Sequence, residues 1–201
     1  MRIPRATVIV PLLVLTAAAF AEEPPRIAQT HVQPPPRAKL GNILVLGISD
    51  DREVRHRFED KLVTHLRGRG VGASTSYSLV DDLAAPGDRD RILGALIEAR
   101  VDGVLTVRAV PLDAAQEAAW PESWSAWIGS PTTVRELVEK TIPVPEKAAK
   151  RYGVEITLWE LGTGNRPWAA RTSVCSRKDL RKAAGTLMQE TIAQLRELDI
   201  F

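Results

Sequence analysis

Residues 42–67 read NILVLGISDDREVRHRFEDKLVTHLR, and the change of rhythm inside them decides the fold class. Asn42 to Ser49 is a short apolar run rich in branched side chains, which predicts a strand covered on both faces and central in its sheet. Asp50-Asp51-Arg52-Glu53 then carries a helix start, with Asp50 placed to cap a backbone N–H and Glu53 three residues on to reach back. Val54, Phe58, Leu62 and Leu66 follow at intervals of four, with Val63 beside them, so one apolar stripe faces the sheet. Arg55, Arg57, Asp60, Lys61 and Arg67 fall on the side expected to meet water. Gly68 and Gly70 are expected to end the helix, since glycine enters the left-handed conformation without a side-chain clash.

The same alternation runs onward. Val71 to Tyr77 reads as a second strand, and Ala85-Pro86-Gly87 as a turn into a helix capped by Asp88 and carrying Ile92, Leu93, Leu96 and Ile97. Val101 to Val110 reads as a third strand. Helices between successive strands imply parallel pairing with right-handed crossovers. Residues 111–150 interrupt the rhythm as an insertion holding Trp120, Trp124 and Trp127. Tyr152 to Leu161 and Pro167 to Val174 then form a β-hairpin about Gly162-Thr163-Gly164-Asn165. A last helix starts at Ser176 with Asp179, and Leu180, Ala184, Leu187, Thr191, Ile192, Leu195 and Leu198 make its buried stripe. The expectation is an α/β domain over residues 41–201, in two or three layers, with a mixed sheet. Its order is β-α-β-α-β-(insertion)-β-β-α, with the first three strands parallel and a C-terminal hairpin.

The chain opens with MRIPR, then ATVIVPLLVLTAAAF, then Ala21 and Glu22-Glu23-Pro24-Pro25. This is the charged, apolar and small-residue pattern of a cleavable secretory signal, with the cut expected after Ala21. The apolar run of 15 residues, Ala6 to Phe20, contains Pro11 and is shorter than the roughly 20 that cross a bilayer core. The single cysteine, Cys175, stands far from the position that carries a bacterial lipid anchor. The predicted location is therefore the periplasm, without a lipid anchor. Residues 22–40, with Pro24, Pro25, Pro34, Pro35 and Pro36, read as an extended linker that also contains His31.

Loss of Arg2 and Arg5 with the signal leaves Lys plus Arg at 25, equal to the 25 Asp plus Glu. A neutral chain argues against nucleic acid, whose recognition needs concentrated positive charge. One cysteine cannot close an internal disulfide, so packing alone must hold the fold. Buried packing is the first reading of Cys175, with intermolecular pairing and a reactive thiolate behind it.

The stretch ILVLGISDDREVRHRFED, which joins the opening strand to the helix led by Asp50, the element order and the hairpin ending in Trp168 and Ala169-Ala170-Arg171 resemble a group of small proteobacterial envelope proteins and lipoproteins. Their topology is similar to the TolB amino-terminal domain and to the curli secretion lipoprotein, and the resemblance spans roughly residues 40–200. It implies an accessory subunit that works by docking to other envelope components, and it carries over no cofactor and no catalytic residue.

The search for chemistry in the sequence is short. His56 and His65 are nine residues apart on one helix, about 900° of rotation, and so point to opposite sides and cannot share a metal. Gly68-Arg69-Gly70-Val71-Gly72 follows a helix, whereas a phosphate loop precedes one. No Gly-x-Ser-x-Gly spacing occurs. Ser49, Asp50 and Asp51 occupy the strand-end rim where open α/β sheets hold ligands, although caps belong there too. Trp120, Trp124, Trp127 and Ile128 fall on one stripe if Pro121 opens a helix, which docks a partner, lines a ligand groove, rests on a membrane surface or closes over the domain's own sheet. Trp159 and Trp168, on facing hairpin strands, are expected to pack in the core. No catalytic, metal or cofactor site is expected. The leading expectation is a non-catalytic adaptor that binds an envelope partner. A small-ligand or lipid-binding protein is the alternative, and a hydrolase built on Asp50 and Asp51 stands third. An exposed sheet edge invites a homodimer.

Overall fold

In the computed structural model the described residues are 25–33, 36, 38–49, 51–79, 94, 98–120, 151–161, 163 and 165–201. The signal segment, Asp50, most of the second expected helix and residues 121–150 lie outside them.

The protein is a mixed α/β fold, and its described residues build an open sheet of seven strands. In chain order these are β1 (Ile27–Val32), β2 (Asn42–Ile48), β3 (Gly72–Thr75), β4 (Gly103–Leu112), β5 (Arg151–Glu160), β6 (Trp168–Thr172) and the two-residue β7 (Cys175–Ser176). Among the described residues the helices are α1 (Arg52–Arg67), α2 (Ala114–Ala119) and α3 (Arg177–Glu197). Across the sheet the order is β1-β6-β5-β4-β2-β3, with β7 pairing β5. β2 is parallel to both β3 and β4, while β4–β5, β5–β6 and β6–β1 are antiparallel. β2 is covered on both faces as its composition implies, but it lies one strand from the edge, and β4 and β5 hold the middle.

Residues 27–32 correct the linker reading of 22–40. IAQTHV alternates half-buried and exposed positions and pairs along β6, a partner more than 130 residues away that local proline content cannot reveal. Leu40, at the other end of that stretch, is buried and donates its N–H to Ile200 O.

The helix start is shifted by one residue. Asp51 is the N-cap of α1, its carboxylate accepting from the N–H groups of Glu53 and Val54. Glu53 does not reach back; its carboxylate meets Arg57 one turn on. At the other end Gly68 closes α1 in right-handed geometry, and only Gly70, at φ +80°, uses the left-handed freedom of glycine. The chain leaves β3 after Thr75 through a 3₁₀ turn, Ser76–Ser78, which shortens the strand expected to reach Tyr77. Inside the expected insertion, β4 runs on to Leu112 and Asp113 caps α2 in a box with Gln116.

One face of the sheet presents Ile43, Val45, Leu105, Val107, Val154, Ile156, Leu158, Trp168 and Ala170 to α1 and α3. The α1 stripe of Val54, Phe58, Leu62, Val63 and Leu66 meets the α3 stripe of Leu180, Ala184, Leu187, Ile192 and Leu195 there. Cys175 packs in the same core. The opposite face gathers Leu44, Leu46, Ile48, Val101, Val104 and Trp159. Trp159 and Trp168 are therefore both core residues, on opposite faces of the sheet.

Candidate functional site

The strand-end rim forms where β2 gives way to α1, and its side chains are tied to one another. Asp51 caps α1 with one oxygen and with the other accepts from Arg177 Nε at 3.0 Å and Arg181 Nη2 at 2.6 Å. One carboxylate thus joins the first turns of α1 and α3, satisfying helix N–H groups and two guanidiniums together. Burial opposes ionisation of Asp51, but the Arg181 and Val54 hydrogen bonds and the Arg177 and Arg181 charges outweigh it, so its pKa lies below the ordinary 3.8. Ser49 turns its hydroxyl to the Asp51 N–H at 3.1 Å. Both described members of the expected rim triad, Ser49 and Asp51, therefore serve the helix start; the third, Asp50, lies outside the described residues.

A depressed carboxyl pKa contributes stability that is complete above the unfolded value and lost as pH falls through the folded one. Stability of the wild type is accordingly expected to drop as pH falls below about 4, and Asp51→Asn, which keeps a capping oxygen, is expected to flatten that acid limb. Denaturant midpoints measured from pH 6 to pH 2 check this, and equal slopes in the two proteins would contradict it.

Behind the rim lies a second carboxylate that the periodicity of α1 does not single out. Glu59 is 0% exposed. Its Oε1 accepts from Gly47 N at 2.9 Å, Arg55 Nε at 3.1 Å and Ser76 Oγ at 2.7 Å, and its Oε2 from Ser76 N at 2.7 Å and Tyr77 N at 3.3 Å. The β2–β3 register ends with Val45 opposite Thr75. Beyond it β3 turns away, and the Glu59 carboxylate fills the gap, accepting the N–H groups that a longer ladder would have paired. Arg55, expected to face water, is buried here instead, because its guanidinium bonds Glu59 and Ser76 Oγ. The signal for this site was Gly47, a glycine inside an apolar strand. A Cβ there would stand 2.9 Å from Arg55 Cγ and 3.0 Å from Glu59 Oε1.

The opposite face holds the tryptophan expected to bind a partner. Trp120 is 7% exposed, which removes it from any bare docking stripe. Its indole N–H donates to Thr172 O at 3.0 Å, and the Arg171 guanidinium lies 4.3 Å from the ring centroid. The ring lies flush against β5 at Gly153, where an added Cβ would come within 2.3 Å of it. Beside it Arg171 Nη2 meets Glu155 Oε1 at 2.6 Å, and Arg108 reaches Glu155 Oε2 at 3.5 Å. Register places Arg108 opposite Glu155 and Glu155 opposite Arg171, so the three form one row across β4, β5 and β6. Burial draws the Arg171 guanidinium below its ordinary value, against the opposing pull of Glu155. Trp124, Trp127 and Ile128 lie outside the described residues.

Cys175 is buried, and burial with the nearby Asp179 charge pushes its thiol up to about 12, against a smaller pull from Arg151. At neutral pH it is a thiol packed in the core, not a nucleophilic thiolate. His56 stacks on Tyr77 with ring centroids 4.2 Å apart. Among the described residues no group of three His, Cys, Asp or Glu is placed to hold a metal, and no helix is long and apolar enough to cross a membrane.

No protein-family model matches the chain, and no curated protein matches it. Among solved structures it is similar to the PelC dodecamer from Paraburkholderia phytofirmans, at 13% identity and a TM-score of 0.43, covering 83% of this chain and 96% of that one. A single-residue variant of that dodecamer is similar at the same identity and TM-score, covering 83% of this chain and 98% of the other.

Proposed function

We propose that the protein is a non-catalytic periplasmic adaptor that binds an envelope partner through the segment following Trp120. The observation that carries this reading is the internal commitment of the rim: Asp51 and Glu59 each spend both carboxylate oxygens on donors of the fold itself. A catalytic carboxylate needs an oxygen or a proton left for substrate. Trp120 anchors the base of the 121–150 segment to β5 and β6, and the residues beyond it include Trp124, Trp127 and Ile128. In the same reading the signal is removed after Ala21.

The test is a cross-linked pull-down from envelope extract with the wild type, Trp124→Ala and Trp127→Ala. A specific envelope protein is expected to be recovered with the wild type and reduced at least tenfold with either variant. Equal recovery with all three proteins removes the segment from the function.

A small-ligand or lipid-binding role is the second reading, favoured by the Arg108–Glu155–Arg171 row on the face that carries Trp159. Arg108 is 37% exposed there, which leaves part of one cation accessible to an anionic headgroup.

A further inference from the structure

We propose that β1 is a self-association edge, where a second copy of this chain adds its own β1 antiparallel and continues the sheet across a two-fold axis.

The backbone directions come from two bonds. Gln33 N–H donates to Pro167 O at 3.1 Å and Ser173 N–H to Arg26 O at 3.0 Å, so Gln33 points its peptide groups at the β6 side. Alternation along an antiparallel ladder then aims those of His31 and Gln29 at β6 and those of Thr30 and Val32 away from it. Thr30 and Val32 thus offer two N–H groups and two carbonyls on the outer edge of the sheet.

Side chains at the same place agree. Monomeric proteins protect edge strands with lysine, inward-pointing charge or proline, and IAQTHV contains no charged residue and no proline. Val32, at 51% exposure, is the exposed large hydrophobic residue among those described. The other edge strand, β3, is only four residues long before the chain turns away at Ser76.

A second copy suits this edge better than a partner of different chemistry. An axis through His31 sets Thr30 opposite Val32 of the partner subunit and Val32 opposite Thr30 of the partner subunit. Each outward residue offers one donor and one acceptor, so the two-fold matches all four pairs without any change of register. Because the strand is uncharged, its copy meets no like charge, and Val32 covers the neighbouring threonine. The bulge between Ile27 and Gln29 limits the regular ladder to residues from Gln29 onward, which places the axis at His31 rather than nearer the start of the strand.

The test is the mass of the purified protein by sedimentation across a concentration series, with Thr30→Pro and Val32→Lys. Thr30→Pro removes an outward N–H and none that pairs with β6, so the fold is expected to persist by circular dichroism while the dimer is lost. Val32→Lys changes an exposed side chain and places two like charges across the axis. The expected result is a concentration-dependent dimer for the wild type and dissociation at least tenfold easier in both variants. A wild type that stays monomeric throughout, or variants that dimerise as strongly as the wild type, overturns the proposal. If Thr30→Pro does not fold, Val32→Lys alone decides.

Discussion

Glu59→Ala is expected to destabilise the protein by about 3–5 kcal/mol, the range found when one partner of a buried ion pair is removed. The cost arises on the groups left behind. Arg55 keeps its charge in a buried position with only Ser76 Oγ as a partner, and the N–H groups of Gly47, Ser76 and Tyr77 lose their acceptor where β2 and β3 separate. Urea denaturation of the single and double variants separates these contributions. Adding Arg55→Met to Glu59→Ala is expected to recover part of the loss, because it removes the stranded charge. A loss under about 1 kcal/mol for Glu59→Ala would mean that the gap fills with water and that the carboxylate does not hold the strands apart at their set distance.

The second large effect is expected on the other face, at Gly153. A methyl group there would overlap Trp120, with Cζ2, Cε2 and Cη2 at 2.3, 2.5 and 2.7 Å, and both sides of the contact are stiff: a strand backbone and a fused ring. Gly153→Ala therefore expels the indole, at a cost approaching the about 3–5 kcal/mol of truncating a buried tryptophan. The Trp120 N–H loses Thr172 O and Arg171 loses the ring above it. Tryptophan emission is expected to shift to the red. In the Trp120→Ala background Gly153→Ala should cost almost nothing, because the atom it collides with is gone. An equal cost in both backgrounds would assign the effect to the β5 backbone.

These two glycines also mark how far the chain could be read before its fold was known. A glycine inside an apolar strand signals close approach by something, and both Gly47 and Gly153 are such positions. Neither says what approaches. Gly47 receives Arg55 and Glu59 from the next helix, and Gly153 receives Trp120 from thirty-three residues upstream. Arg55 looked solvent-facing because helix periodicity sorts residues by type, and a charged residue is assigned to water unless its partner is known. Its partners, Glu59 and Ser76, come together only when α1 lies over the β2–β3 junction.

Local pattern was sufficient wherever the deciding interaction is local. The apolar stripes of α1 and α3, the Ser176 cap, the parallel β2–β3 and β2–β4 pairs and the β5–β6 hairpin follow from spacing within one or two elements. Tertiary structure alone decided the rest. β1 is a strand because β6 offers it an edge, Asp51 is the cap that also bonds Arg177 and Arg181 from the far end of the chain, and Trp120 is buried because Gly153 leaves room. The reason is common to all three: burial and pairing are properties of two surfaces, and a sequence displays only one of them at a time.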